Sequence, residues 1–270
     1  MGFSSLQAAR IWGTVTWVAM SRWTDRLIRG ACALLVLVGL ASAALRAIAM
    51  EDLFARVEPA RVGLMTGLGV SEPAPERRAE VVARSDRKFA THRATTLIHI
   101  LTGAGFLALV PLQLLRRVRA RAPAVHRVAG RVAIILAWAS GLTGLFFGLR
   151  QPLAGLAEQV VVGAVGLLLL GATGIAFHHV RAGRTGQHRE WMLRAIAAAL
   201  VISSVRIVAL PLDLLLAPRG VGPRVIFGLA LWLGCGVTLV FTEWWIRRTR
   251  PVKLVIFGAS EAQPSVRRTA

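Results

Sequence analysis

The sequence predicts an all-α polytopic transmembrane bundle of six helices, with a four-helix core made of two repeated hairpins. Three observations carry that expectation. Apolar residues make up 55% of the 270 positions, mean hydropathy is +0.61, and the apolar residues fall in blocks of the length that crosses a bilayer. Arginines cluster beside alternate blocks. The stretch Val118–Arg127 (VRARAPAVHR) recurs 62 positions later as Val180–Arg189 (VRAGRTGQHR), with Val, Arg, Ala, His and Arg in register. A transmembrane barrel would instead show short alternating strands.

Residues 1–29 precede the first block. Trp12, Trp17 and Trp23, mixed with Arg10, Arg22, Arg26 and Arg29, read as a segment lying at the interface. The alternative is a disordered or misassigned start, with Met20 as the true initiator. The segment lacks the cleavage site of a signal peptide. Six spans follow: Gly30–Met50, Thr95–Leu115, Val128–Leu149, Glu158–Val180, Met192–Leu216 and Val225–Ile246. Between the first two lies a long loop, 51–94, whose near-balanced charge suits translocation. Pro59, Pro73 and Pro75 argue against one continuous helix there, and a short amphipathic helix is expected near Glu76–Phe89. The membrane core runs from 95 to 247, and residues 248–270 form a tail.

Orientation follows from arginine placement. Arg116, Arg117, Arg119, Arg121 and Arg127 surround one turn, Arg181, Arg184 and Arg189 another, and Arg247, Arg248, Arg250 and Lys253 the tail. All belong to one face of a six-span chain, which the positive-inside rule assigns to the cytoplasm together with both termini. The formal charge of +20 would suggest nucleic acid in a soluble protein, but here the membrane accounts for it, and no nucleic-acid partner is expected. Cys32 and Cys235 sit inside apolar blocks and read as small buried side chains. The expected partner is the lipid bilayer. The oligomeric state is not legible.

The repeat makes spans two to five a pair of hairpins related by an axis along the membrane normal. Gly141 and Gly144, with Gly163 and Gly166, would let neighbouring backbones approach. It also places His126 and His188 at matching points. His126 is followed by Arg127 and Arg131, and His188 by Arg189 and Arg194. Two neutral imidazoles could ligate the iron of a haem b, the candidate cofactor and metal here, with the four arginines serving its propionates or a quinone. His178 and His179 are alternative ligands. The same groups could bind an anionic lipid or another anion with no cofactor, and interfacial His and Arg are also ordinary membrane anchors. No HExxH or paired CxxC pattern suggests zinc.

A second set of ionisable residues lies within the spans. His99 is about a turn into span two. Arg206 and Asp213 are seven positions apart on nearly one face of span five, and Arg206 could instead meet His99 or Glu158. His99 and Gln113 share a face of span two at depths about 21 Å apart. These four residues suggest a polar pocket or proton path, or else an internally paired arginine that fixes packing. With His92 lying before the span, the outer layer lacks a complete bis-histidine site. Glu243 is expected to pair with a residue such as Arg194. No nucleophile elbow appears, and Ser203 and Ser204 read as packing residues.

The run His99–Gly103, the Pro111-Leu112-Gln113 step, His126-Arg127 with Gly130-Arg131, and His188-Arg189 with Trp191, Met192 and Arg194 resemble domain of unknown function 2306, an uncharacterised family of bacterial membrane proteins. Arg206 falls where that family's fifth-span arginine would. The resemblance covers about Thr95 to Arg247. It implies a multi-span bacterial inner-membrane protein and supplies no activity. A looser similarity links the chain to the four-helix b-type membrane cytochromes. Two functions are therefore expected as alternatives. One is a haem-binding membrane redox protein with a cytoplasmic-side bis-histidine site. The other is a cofactor-free transport, lipid-binding or assembly protein with an Arg/His anion site.

Overall fold

Six helices of the computed structural model are long and apolar enough to cross a membrane. The structure describes residues 5–250 apart from 72 and 74, with side chains from Arg26 onward. The interfacial reading of the tryptophans before Arg26, and the tail beyond Arg250, lie outside these residues.

Among the described residues the chain is helical wherever it is regular. Helix α1 covers Ser5–Ile48, and its spanning part begins at Arg26. Two helices then fill the loop: α2 (Leu53–Gly67) and α3 (Pro75–Thr91). Pro75 opens α3, where a missing N–H costs nothing, and Pro59 lies within α2. The remaining spans are α4 (Arg93–Leu114), α6 (Pro123–Arg150), α7 (Leu156–Arg181), α8 (Thr185–Leu216) and α9 (Pro223–Arg248). A short helix, α5 (Arg116–Arg121), occupies the first arginine turn. The second arginine turn closes on Gly183 at φ +72°, a conformation that favours glycine.

Spans α4, α6, α7 and α8 form a ring in chain order, in which α4 and α8 meet only lightly and α1 packs across both. Helix α9 lies against α8. The main core sits inside the ring and under α1, where Val36, Phe106, Leu107, Ala133, Ala137, Leu169, Ala172, Ala195 and Leu200 are buried.

Small residues set the spacing. A Cβ on Gly166 would lie 2.5 Å from Leu145 Cδ2, and one on Gly144 would lie 3.1 Å from His99 Cε1. Gly141 meets Leu170 and Gly163 meets Leu149, so all four glycines of α6 and α7 lie against a neighbouring side chain. The closest backbone approach is elsewhere: a Cβ on Gly234 of α9 would stand 2.8 Å from the Val205 backbone nitrogen of α8.

The hairpin repeat survives in the fold. Helix α6 begins at Pro123 and α8 at Thr185, and His126 and His188 each donate a backbone N–H to the residue before the helix, Ala122 and Arg184. Matching sequence positions thus become matching positions in the first turn of two helices that stand diagonally across the ring.

Candidate functional site

The two faces of the bundle treat their cations differently. On the face formed by α2, α3 and the outer ends of the spans, the buried cations meet carboxylates, while Arg77, Arg84, Arg87, Arg150 and Arg219 are exposed and bonded to none among the described residues. Arg61 and Arg78 bind Asp213 of α8 at 3.1 and 2.6 Å, and both also bind Glu58. Arg46, at the end of α1, binds Asp86 of α3 at 2.9 Å and lies between the rings of Phe54 and Phe89, 4.5 Å from each centroid. Asp86 also accepts the Phe54 and Ala55 N–H groups at the start of α2, where unpaired donors favour a carboxylate. Lys88 reaches Glu158 of α7 at 3.6 Å, and Glu158 accepts the Leu153 and Ala154 N–H groups. Burial pushes the Lys88 ammonium below its ordinary range, while Glu158 pulls it back.

The loop expected between spans one and two is therefore a two-helix cap, locked to α1, α7 and α8 by mostly buried ion pairs. Sequence spacing missed it because Asp213 lies 152 positions from Arg61 and 135 from Arg78. The i,i+3 spacing of Glu58 and Arg61, together with the amphipathic pattern of α3, was the signal available.

The opposite face carries cations with few carboxylates. Arg116, Arg117, Arg119 and Arg121 of α5, Arg127 and Arg131 of α6, and Arg181, Arg184 and Arg189 are all exposed. Among the described residues none of these nine is bonded to a carboxylate. Glu190 is taken by Arg250 at 2.8 Å and Glu243 by Arg194 at 2.5 Å. Arg119 donates to the Gln113 and Leu114 carbonyls, which tucks α5 under the end of α4, and Arg189 donates to Thr249. Arg189 feels the carboxylate of its neighbour Glu190 and, more weakly, the positive charges of Arg119 and Arg116 from the other arginine turn.

His126 and His188 lie at this face. Each is half-buried, and His188 is close enough for its charge to bear on His126. The His188 Nδ1 bonds the Ala176 carbonyl of α7 at 2.9 Å, which fixes the ring and leaves Nε2 unbonded. The buried Nδ1 atoms of His126 and His179 have no partner. Gln113 donates to the His126 carbonyl at 3.4 Å. Of the arginines named with these histidines, Arg127, Arg131 and Arg189 are exposed. Arg194 is engaged by Glu243 and stacks on Trp191 at 4.8 Å. Among the described residues, no group of three His, Cys, Asp or Glu side chains forms a metal site.

The second set of sequence candidates is dispersed. Gln113 is at the arginine-rich end, and Asp213, at the outer end of α8, is taken by the cap arginines Arg61 and Arg78. His99 points Nδ1 at the Ser140 carbonyl and Thr143 hydroxyl of α6, at 3.0 and 3.2 Å, with Phe147 at its edge. Arg206 bonds neither Asp213 nor Glu158, and its side chain is exposed. His92, beside Phe146 and Phe147, is bonded to Gln151.

Residues 96–246 match the family of predicted membrane proteins designated DUF2306. The chain belongs to that family. The match covers nearly all of α4 to α9 and leaves α1 and both cap helices outside it. No curated protein and no solved structure matches the chain. The looser likeness to b-type cytochromes thus gains no support, and the DUF2306 family brings no activity with it. The chain is a membrane protein with six candidate spans among the described residues.

Proposed function

We propose that this DUF2306 protein binds the phosphate head groups of anionic lipid at its arginine-rich face. One observation carries the reading: nine exposed arginines from the two hairpin turns and their flanks lie on one face with, among the described residues, no carboxylate bonded to any of them, while the buried cations against the cap, Arg46, Arg61, Arg78 and Lys88, are each held by a carboxylate. Guanidinium forks match phosphate oxygens in geometry and form charge-assisted bonds with them. Basic residues beside a membrane each contribute roughly 1 kcal/mol toward anionic lipid. The exposed apolar side chains Val125, Val128 and Val180 beside these turns suit the acyl region of the same lipid. By the positive-inside rule, this face is the cytoplasmic side of a bacterial inner membrane.

The test is native mass spectrometry of the detergent-purified full chain titrated with phosphatidylglycerol. Replacing Arg116, Arg119 and Arg189 together by Gln is expected to weaken the tightest binding by about tenfold or more, in a salt-dependent manner. Unchanged binding sinks the reading.

A second reading rests on a different observation. His188 is oriented through Nδ1 with Nε2 unbonded, the arrangement that a second hydrogen bond gives to metal-ligating histidines. With His126 in the matching turn of the diagonal helix, these two imidazoles are the residues that would hold a haem b, with Arg127, Arg131 and Arg189 serving its propionates or a quinone. Haem would supply one-electron redox chemistry. An absorption spectrum of protein made with added haem precursor decides it. A Soret band lost in His126→Ala and His188→Ala supports this reading, and a colourless folded protein removes it.

A further inference from the structure

The two cap helices expose opposite chemistry. On α3 the exposed side chains include Glu76, Arg77, Glu80, Arg84 and Arg87, and among the described residues no large apolar side chain of α3 is exposed. On α2 the apolar side chains are the exposed ones. Phe54, Val57, Val62, Leu64 and Leu68 are 37% to 59% open. Apolar surface gathered on one helix outside the spans marks a place of contact.

Helical phase divides α2 into three flanks. Phe54, Glu58, Arg61 and Met65 form the flank that faces the protein. Phe54 lies under the Arg46 guanidinium, Arg61 binds Asp213, and Met65 is buried with Ala217 and Ile226. Beside it run Leu53, Val57, Ala60, Leu64 and Leu68, at helical steps of three and four, all exposed except the half-buried Leu53. The third flank carries Arg56, Pro59, Gly63 and Thr66, all exposed and polar or small, with Val62 at its edge.

The anchors of α2 set its depth. Asp86 joins Arg46, two residues before the end of α1, to the first N–H groups of α2. Asp213, which holds Arg61, is three residues before the end of α8. Both anchors lie within about one turn of where the spans end, so α2 lies across those ends at the level of the membrane surface. The exposed face of α1 runs through Leu37 and Leu45 to Ile48, which is 84% exposed, and α2 begins five residues later. The apolar flank of α2 thus continues the surface that α1 presents to lipid.

We propose that α2 is an interfacial helix, with Val57, Leu64 and Leu68 seated among the acyl chains of the cap-side leaflet and Arg56, Gly63 and α3 facing water. A helix of this kind buries its apolar side by about 5–10 Å into the boundary between head groups and chains. Ion pairs hold the cap to the spans from one side of α2, and lipid holds it from another. This surface lies opposite the arginine-rich face and does not depend on the head-group binding proposed there.

The experiment places a nitrobenzoxadiazole fluorophore on single cysteines of the full chain, with Cys32 and Cys235 replaced by Ser, in phosphatidylcholine vesicles. Val57→Cys and Leu64→Cys report the apolar flank. Gly63→Cys, where an added Cβ meets nothing within 4 Å, reports the third flank, and Arg84→Cys reports α3. The quenchers are iodide on both sides of the vesicle and phosphatidylcholine bearing a nitroxide near the head of its acyl chain. Labels at Val57 and Leu64 are expected to lose most of their fluorescence to the nitroxide lipid and little to iodide. Labels at Gly63 and Arg84 should show the reverse. Iodide quenching at Val57 and Leu64 equal to that at Arg84 overturns the proposal, because the flank then faces water. Protection from both quenchers also overturns it, because protein, such as a second copy of the chain, then covers the flank. Lipid quenching at Gly63 equal to that at Leu64 overturns the two-sided seating.

Discussion

Asp213 and Arg78 are separated by 135 positions in the chain and by 2.6 Å in space. The carboxylate comes from the outer end of a spanning helix and the guanidinium from the cap, and Arg61 closes on the same carboxylate from the other cap helix. All three side chains are mostly buried, so removing the acid leaves two cations in a low-dielectric site with Glu58 as their one shared carboxylate. Asp213→Asn is expected to destabilise the cap by about 3–5 kcal/mol. Limited proteolysis between α2 and α3 should accelerate in this variant. Glu80→Gln, which removes the exposed pair with Arg224, should leave the rate unchanged. Equal rates for wild type and Asp213→Asn would show that the cap is held by something else.

The membrane part of this fold was legible because its signals are local. Apolar blocks mark the spans, arginines mark their ends, and the repeated turn fixes His126 and His188 in register. The Glu243–Arg194 pair was also expected from its position. The cap was not legible beyond one amphipathic helix, because the pairs of Arg46, Arg61, Arg78 and Lys88 with their carboxylates are tertiary. A balanced charge count says only that partners exist. The scatter of His99, Gln113, Arg206 and Asp213 has the same origin. Helical phase places residues on a face, but the neighbour opposite that face depends on how α1 and the cap dock.

Gly234 should be the least replaceable glycine in the bundle. An added Cβ would meet the Val205 backbone nitrogen at 2.8 Å and Cα at 3.0 Å, and backbone cannot rotate away. Gly234→Ala is expected to separate α8 from α9 and cost about 1–3 kcal/mol. Gly163→Ala, whose Cβ would meet Leu149 Cδ2 at 3.7 Å, should be neutral or slightly stabilising through helix propensity. Thermal midpoints of the two variants in one detergent test the ranking, and equal midpoints would refute it.

Lys88 gives the cap a pH dependence of predictable sign. Burial lowers its pKa in the folded chain below the ordinary 10.5, with Glu158 opposing the shift. Between the two values the unfolded chain binds more protons, so this residue's contribution to stability rises with pH across that window. The chain has no tyrosine to confuse an alkaline titration. Lys88→Met should flatten the slope of the thermal midpoint against pH below 10.5. A slope as steep as that of wild type would assign it to other groups.

The two faces must lie on opposite sides of the membrane, and the arginine-rich one should be cytoplasmic. Six spans alternate, so the turn at Arg117, the turn at Arg184 and the end of α9 share one side. Glu80 of the cap and Gly220, after α8, share the other. In a background with Cys32 and Cys235 replaced by Ser, single cysteines at Arg117 and Arg184 should resist a membrane-impermeant maleimide applied to intact spheroplasts. They should react once the membrane is opened or inverted. Cysteines at Glu80 and Gly220 should behave in the opposite way. The positive-inside rule sets the direction, since translocating arginine-rich turns is disfavoured. Splitting of the pair, with Arg117 on one side and Arg184 on the other, would break the two-hairpin topology. A shared reversal would keep the fold and move the arginine-rich face to the other leaflet, away from the cytoplasmic-side lipid head groups proposed for it.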